Sequence, residues 1–555
     1  MTLPQAPVSD ALGQVARLWL PRLLTQVCRD PSSPRFGCFD RDWWHYRIRD
    51  FPSIILQQGG YTLQLASHLV AHGEQREGLR KLAAAAGRFW NARATRRGAF
   101  EEYYPWEQGY PPLAFSLLSV MKLVAEGVAQ VEEVRAGAAV ASRQLQSRFE
   151  SQAASQQVAG LAALAWCRAV LPELATETSF ESLVARTLAL QTKEGWFQEY
   201  GGPDLGCLSV TVDCLWDLFD VTRDERFLTA IDRAAACIKL FTAATPAGSI
   251  GMHNSRNTDY LVPYGLVRAA LQRPATECAE LAGRLFGGAG DPAHFFNAVD
   301  DREVCHYLGQ SLFRAVRFLE QSPNMPAVET AGSASAGPPT EQLMASGHFL
   351  CRMDGGETLL VTLRKGGIFS HHAGDGWVCD FGWMVEAAGR QFISHWWSED
   401  WQYGQGKSQL WVEGALYKHK DIASTPGRHM ALRIASFVAG SRLIGALKKK
   451  LIFKKTRSRI VFRRTVKWSS DTIHVVDTFT NLPAAAKFLP APRSSKRHVS
   501  GADSFQAEDF QLMKGFVVAR QFNPSAQGME IVTVYARQQQ SPYGATVPAD
   551  ALKTE

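Results

Sequence analysis

The sequence predicts a chain in two parts, an (α/α)6 toroid followed by an antiparallel β-sandwich. Three observations carry this expectation. A helical period runs in pairs through roughly the first 320 residues, a segment rich in Pro, Gly, Ala and Ser follows, and short alternating runs of β-branched and aromatic residues come after it. At 555 residues the chain exceeds what one hydrophobic core serves, so at least two domains are required. With 46% hydrophobic and 20% charged residues it has ample material for those cores, which excludes disordered and fibrous classes.

In residues 1–322 the helical segments are of two kinds. Amphipathic ones rich in Arg, Glu and Ala fall at roughly 9–29, 74–94, 128–149, 179–191, 224–243 and 276–286. Apolar ones with small residues fall at roughly 53–71, 112–127, 154–171, 207–221, 260–272 and 304–320. Six pairs whose second members are apolar all round fit a double ring, with outer helices facing solvent and inner helices packed on one another. The inner helices of such a ring run parallel, so the loops before them gather at one end. These loops are "FGCFDRDWWHYRIRDFPS", "GAFEEYYPWEQGYPP", "ESQAASQQ", "GWFQEYGGPDLGC", "GMHNSRNTDYLVPYG" and "DDREVCHYLGQ". A helix cap accounts for one Asp or Ser per loop, but not for "DWWHYRIRD". The catalytic site is therefore expected on this set of loops, within the toroid.

Residues 323–343 read as an interdomain linker, and residues 344–545 as a β domain. Its strand signals include "GHFLCRM", "TLLVTLR", "WMVEAAGRQFIS", "SRIVFRRTVKW" and "TIHVVDTFT", separated by turn residues. The net charge of +7 is unevenly spread, because "LKKKLIFKKTRSRIVFRRTVKW" carries ten Lys and Arg. Read as one β hairpin, this run attracts a polyanion, or an anionic surface through 448–467. Edge strands use Lys and Arg against aggregation, which accounts for about half of the run. No nucleic-acid fold motif accompanies it, so an acidic polysaccharide or oligosaccharide is the expected partner and nucleic acid is not.

Ten Cys are scattered without a CxxC pair, which reads as buried thiols rather than a disulfide framework. The N-terminal segment reads as an amphipathic helix interrupted by Arg17 and Arg22, not as a signal peptide, and no run is long enough to span a membrane. The expected compartment is cytoplasmic, or periplasmic if the start is truncated. No phosphate-binding loop, dinucleotide fingerprint or metal-ligand spacing occurs, so no cofactor is expected.

The stretch "GSIGMHNSRNTDYLVPYGL" concentrates polar chemistry just before an apolar helix. Cleaving a uronate-containing polysaccharide by β-elimination requires neutralising a carboxylate, removing the adjacent C5 proton and protonating the leaving oxygen. Asn254 or Asn257, with Arg256, are suited to the first task, and His253 or Tyr260 to moving a proton. Neighbouring loops add Trp44, His45 and Tyr46, then Glu102, Tyr103, Tyr104 and Trp106, then Glu199 and Tyr200 as a sugar-gripping pair. A glycoside hydrolase in the same cleft is the alternative, needing two carboxylates from Glu102, Glu107, Glu199, Asp204 and Asp259. A non-catalytic glycan-binding protein would keep the aromatics without needing so many His and Tyr.

A helical toroid followed by a β-sandwich resembles the heparinase II/III-type polysaccharide lyases. The stretch "KGGIFSHHAGDGWVCDFGWMVEAAGRQFIS" is similar to that family's segment in which a His and then an Asp precede a glycine-bearing strand end, here His372, Asp375 and Gly389. One departure is "GKSQLWVEGAL", which lacks the His-Asn pair that the family commonly has before a strand of this kind. The resemblance implies that "WWHY" and "EEYYPW" hold the base and acid, with His45 and Tyr104 in those roles, and that His372 and Asp375 reach the substrate from the β domain.

Overall fold

The computed structural model describes residues 7–94, 100–174, 177–243, 250–256, 258–273, 278–290, 294–297, 299–322, 340–353, 356–373, 376–419, 425–449, 454–483, 485–491, 517–525 and 528–537. It is a mixed α and β structure, with helices in the N-terminal part and curled antiparallel sheet in the C-terminal part. Two compact units divide it. Unit 1 is Met1–Ala334 with Lys420–Lys455 and Ser494–Ala507, and unit 2 is Ser335–His419 with Thr456–Arg493 and Glu508–Glu555.

Unit 1 contains α1 (Val8–Gln26), α2 (Arg41–Trp44), α3 (Gly59–Ser67), α4 (Gly73–Arg93), α5 (Tyr110–Ala125), α6 (Val131–Gln146) and α7 (Ala154–Val170). It continues with α8 (Glu177–Leu188), α9 (Leu205–Thr222), α10 (Glu225–Thr242), α11 (Tyr264–Gln272), α12 (Cys278–Phe286), α13 (Asp301–Val304) and α14 (Tyr307–Glu320). Each of the twelve expected helices is present, with ends displaced by a few residues. Prolines set two of the starts. Pro111 and Pro112 occupy the first turn of α5, and Pro263 immediately precedes α11, positions where a missing N–H costs no intrahelical bond.

The apolar members pack in sequence, α3 on α5, α5 on α7, α7 on α9, α9 on α11 and α11 on α14, and α14 packs on α3. Small residues permit the close approach. A Cβ on Gly265 of α11 would lie 2.7 Å from Val212 Cγ1 and 2.8 Å from Asp213 Oδ1 of α9. The interior also holds charge. Asp217 of α9 accepts from Arg314 of α14 at 2.6 Å and pairs with Lys122 of α5 at 2.7 Å, with all three side chains less than a tenth exposed. Buried charges are tolerated when paired, and here one carboxylate joins three helices. Burial and the Arg314 charge push the Lys122 ammonium below its ordinary value.

Two further helices belong to unit 1 although they lie between strands in the sequence, α15 (Pro426–Ala439) and α16 (Ser441–Lys448). The sequence reading assigned this region to the β domain. The expectation of one basic hairpin over 447–468 is corrected accordingly, because Leu447 and Lys448 end α16 and only Arg457–Trp468 forms a strand.

Unit 2 has a five-stranded antiparallel sheet in sequential order, β1 (Thr340–Leu343), β2 (His348–Arg352), β3 (Thr358–Thr362), β4 (Ile368–Ala373) and β5 (Gly376–Asp380). Strand β1 lies inside the segment read as linker. The second sheet contains β6 (Trp383–Ala387), β7 (Arg390–Ile393), β8 (Gln402–Gly406), β9 (Gln409–Lys418), β10 (Arg457–Trp468), β11 (Thr472–Thr480), β12 (Lys487–Pro490), β13 (Val517–Ser525) and β14 (Gly528–Ala536). Its order is β12-β6-β7-β9-β10-β11-β14-β13, with β8 also paired to β9. Along β10 the alternate residues Ile460, Phe462, Arg464, Val466 and Trp468 are buried, the period expected of a strand with one face on a core. Residues of both sheets share that core, including Phe349, Leu359 and Phe369 from the first and Leu410, Phe462 and Val475 from the second. Arg464 is the polar exception. Its guanidinium grips Asp477 of β11 at 2.7 and 2.8 Å and reaches Asp380 of β5 at 3.0 Å, tying the two sheets together.

Among the described residues no helix is long and apolar enough to cross a membrane. All ten thiols are free, eight of them buried.

Candidate functional site

Unit 1 gathers a connected group of buried polar side chains from the loops before α5, α9, α11 and α14. The loop before α5 is shaped by Glu107, whose Oε2 accepts from the backbone N–H of Glu102 at 3.1 Å and of Tyr103 at 2.7 Å. Arg49 donates to the Glu102 carbonyl at 2.7 Å. This fold of the loop leaves Glu102 and Tyr104 buried and Tyr103 and Trp106 turned to the surface. Burial pushes the carboxyls of Glu102 and Glu107 above the usual range. The Glu102 charge raises Glu107 further, while Arg302, Arg49 and Arg256 draw Glu102 down in part. Burial likewise raises the Tyr104 phenol, which keeps its proton.

The loop before α9 supplies Glu199 and Tyr200. Glu199 is almost fully buried, its Oε1 accepting from Ser155 N–H at 2.7 Å while its Oε2 accepts no hydrogen bond. Burial pushes it up to about 7 against the opposing pull of the Arg256 guanidinium, 3.6 Å away. Tyr200 takes a left-handed backbone conformation (φ 52°), as does Trp106 (φ 59°), a conformation that costs a non-glycine residue energy and that clusters at functional sites. Arg256 lies over the Tyr200 ring, 4.6 Å from its centroid.

Arg256 belongs to the loop before α11, whose positioning rests on Asn254. The Asn254 Oδ1 accepts from Leu205 N–H at 2.9 Å, and its Nδ2 donates to the Thr258 carbonyl at 2.7 Å. Asp204 caps α9 through Cys207 N–H at 3.0 Å and also accepts from Thr258 N–H at 3.3 Å. Both side chains are therefore spent on holding this loop to the start of α9. Asn254 thus braces the loop, and Asp204 caps α9.

Tyr260 continues the same loop, and its hydroxyl lies 2.6 Å from that of Tyr307, the first residue of α14. Glu303 hydrogen-bonds to Tyr260 through its carboxyl and leaves its Oε2 without a partner. Burial and the nearby Asp300 and Glu102 push Glu303 up to about 8. Both phenols are raised well above their ordinary values, Tyr260 by burial, Tyr307 and Glu303, and Tyr307 by burial and Glu303. His306 is buried, its Nε2 has no partner, and burial with the Arg302 charge holds it down at about 3, so its imidazole is neutral. Next to this group, Tyr307 lines a cavity of about 20 Å³ with Asp213, Gln310 and Arg314, room for about one water.

The structure thus brings together Glu102, Tyr104, Glu199, Tyr200, Arg256 and Tyr260. His253 is also buried, at the end of the short turn Ile250–His253. Within unit 1 the structure leaves His45 and Tyr46 exposed. His45 is exposed at the end of α2, its ring tilted against Trp44 and edge-on to Tyr46, so it does not share the buried cluster of proton carriers. Trp44 is fixed by its indole N–H to the Gln26 carbonyl at 2.7 Å, and Tyr46 is 55% exposed. His372 is half-buried on β4 of unit 2, in register with Thr358 and Trp377. Asn257 and Asp375 lie outside the described residues.

Glu303, His306 and Tyr307 were missed by sequence reasoning. The signal was present in "DDREVCHYLGQ", the sixth loop of the same class, which carries a Glu, a His and a Tyr just before an apolar helix. Among the described residues no three His, Cys, Asp or Glu side chains are placed to hold a metal ion together. The arrangement offers one fixed cation, carboxyls protonated near neutral pH, a neutral imidazole and a linked pair of phenols. No protein-family model and no curated protein matches the chain.

Proposed function

We propose that the protein is a carbohydrate-active enzyme that cleaves an acidic polysaccharide by β-elimination, with the buried group around Arg256, Tyr260 and Tyr307 as its active site. The observation that carries this reading is the hydroxyl pair of Tyr260 and Tyr307, 2.6 Å apart beside a guanidinium and carboxyls whose protons burial retains. A uronate carboxylate carries a negative charge that must be offset before the C5 proton becomes acidic. Arg256 offsets it directly. Protonated Glu199 donates a hydrogen bond to it, where an ionised carboxylate would repel it. The neutral imidazole of His306 takes the C5 proton through its unpartnered Nε2, made more basic by the adjacent substrate charge. Tyr307, half-buried and still protonated, delivers a proton to the leaving O4, and Tyr260 with Glu303 behind it restores that proton. The bond from C4 to oxygen breaks, and a C4–C5 double bond remains.

Two finer features of the fold belong to the same proposal. The closed packing order of α3, α5, α7, α9, α11 and α14, with the amphipathic helices packed on them, supports an (α/α)6 toroid. The core shared by two antiparallel sheets supports a β-sandwich. Together they support the resemblance to the heparinase II/III-type lyases.

A glycoside hydrolase is the second reading, favoured by Glu199 and Glu303, whose raised values suit a general acid. Incubation with a panel of acidic bacterial polysaccharides separates the readings. Ultraviolet absorbance from a new double bond together with new reducing ends is the expected result. Reducing ends alone would establish hydrolysis, and binding without either would establish a glycan-binding protein.

A further inference from the structure

Helix α15 presents an apolar stripe to solvent. Met430, Ile434 and Val438 are 61%, 61% and 79% exposed, and they recur every four residues, so they lie on one face. The opposite face carries buried Ser436 and the half-buried Leu432, Ala435 and Ala439. A surface helix ordinarily turns its apolar stripe toward the core. This one turns a stripe of large apolar residues outward.

The charge along this part of the chain is one-sided. From Ile422 to Lys455 the chain has eight Lys and Arg and no Asp or Glu. Arg428, Arg442, Lys449 and Lys454 of this set are exposed. A polyanion such as a polysaccharide would account for the cations but gains nothing from exposed Met, Ile and Val. A bilayer with anionic headgroups uses both, since the apolar stripe enters the boundary between headgroups and acyl chains while the cations pair with phosphates.

We propose that α15 and the basic segment after it dock the protein on an anionic membrane surface. The docking helix is tied to the candidate site. Phe437 packs edge-on against Trp106, with ring centroids 5.2 Å apart, and Arg433 pairs with Asp50. Trp106 follows Glu102 in the loop before α5, so a helix held at a membrane would bear directly on the loop that shapes the site. This inference does not depend on which glycan is cleaved, or on whether any is.

The test is co-sedimentation of the full chain with vesicles of phosphatidylcholine alone and with vesicles containing phosphatidylglycerol. Binding to the second and not the first is expected, weakening by about tenfold or more when Met430, Ile434 and Val438 are all changed to Ser, since the apolar contact is lost. Changing Arg442, Lys449 and Lys454 to Gln should weaken it to a similar degree or more, about fivefold per charge. All six positions are exposed, and circular dichroism of each variant checks that the fold is retained. Absence of binding to either vesicle overturns the proposal. Binding that survives the serine variant but not the glutamine variant also overturns it and identifies a polyanion site instead. A concentration-dependent dimer that the serine variant abolishes, without vesicle binding, overturns it in favour of a second copy of the chain.

Discussion

The phenolic oxygens of Tyr260 and Tyr307 lie 2.6 Å apart although 47 residues separate them in the chain. Tyr260 lies in the loop before α11 and Tyr307 is the first residue of α14, and these two helices pack together. Only one of the two hydroxyls can donate to the other, which leaves the second proton for Glu303 or a substrate oxygen. Changing Tyr307 to Phe removes the proposed donor without removing the ring that packs on Phe115. Turnover should fall by about 10²–10⁴ with an unchanged melting temperature, followed by absorbance of the new double bond. Tyr260→Phe, one hydroxyl further from the substrate, should cost less. Equal turnover of wild type and Tyr307→Phe on a verified substrate would remove Tyr307 from the mechanism.

The carboxyls give a pH dependence of stability with a defined sign. Glu199 and Glu303 are pushed from the ordinary 4.5 up to about 7 and about 8. Between these limits the folded chain keeps protons that the unfolded chain releases, so stability is greatest at the acid end and falls as pH rises through 7 to 8. The loss is on the order of 3–5 kcal/mol per group over the full span of each shift. Thermal unfolding between pH 5.5 and 8.5 should show this decline, and Glu199→Gln or Glu303→Gln should flatten it. A melting temperature that climbs steadily over the same range would contradict the assignment.

Asn254 should behave as a brace. Replacing it with Ala leaves the Leu205 N–H and the Thr258 carbonyl without their partners in a buried setting, at a cost of about 1–3 kcal/mol. Urea unfolding followed by Trp fluorescence measures it. Because the loop carries Arg256, turnover should fall as well. That loss should be partly recovered by Asn254→Asp, which restores the bond from Leu205 alone.

Asp217 holds two cations in the interior of unit 1. Asp217→Ala strands Arg314 and Lys122 and should cost about 3–5 kcal/mol, whereas Lys122→Met, which removes one buried charge and keeps the Arg314 pair, should cost clearly less. Chemical denaturation of the two variants side by side checks the ranking, and the reverse order would show that Lys122 is the essential partner.

The periodicity of the sequence was enough to locate the twelve paired helices and most strands, because apolar spacing reports which face of an element is buried and burial drives both. It could not place α15 and α16 in the helical unit, since "RHMALRIASFVAGSRLIGALK" lies between strands and only long-range packing assigns it. It also could not divide the polar loop residues by role. Asn254 and Arg256 are two positions apart and equally suited to gripping a carboxylate, yet Asn254 is consumed by backbone groups of α9's first residue and its own loop while Arg256 faces Glu199. Local sequence fixes which donors and acceptors a loop carries. Which of them remain available depends on the backbone groups that distant segments bring within hydrogen-bond reach, and only the tertiary structure decides that. The pairing of Tyr260 with Tyr307 is of the same kind, a relationship between a loop and a distant helix that no spacing along one segment encodes.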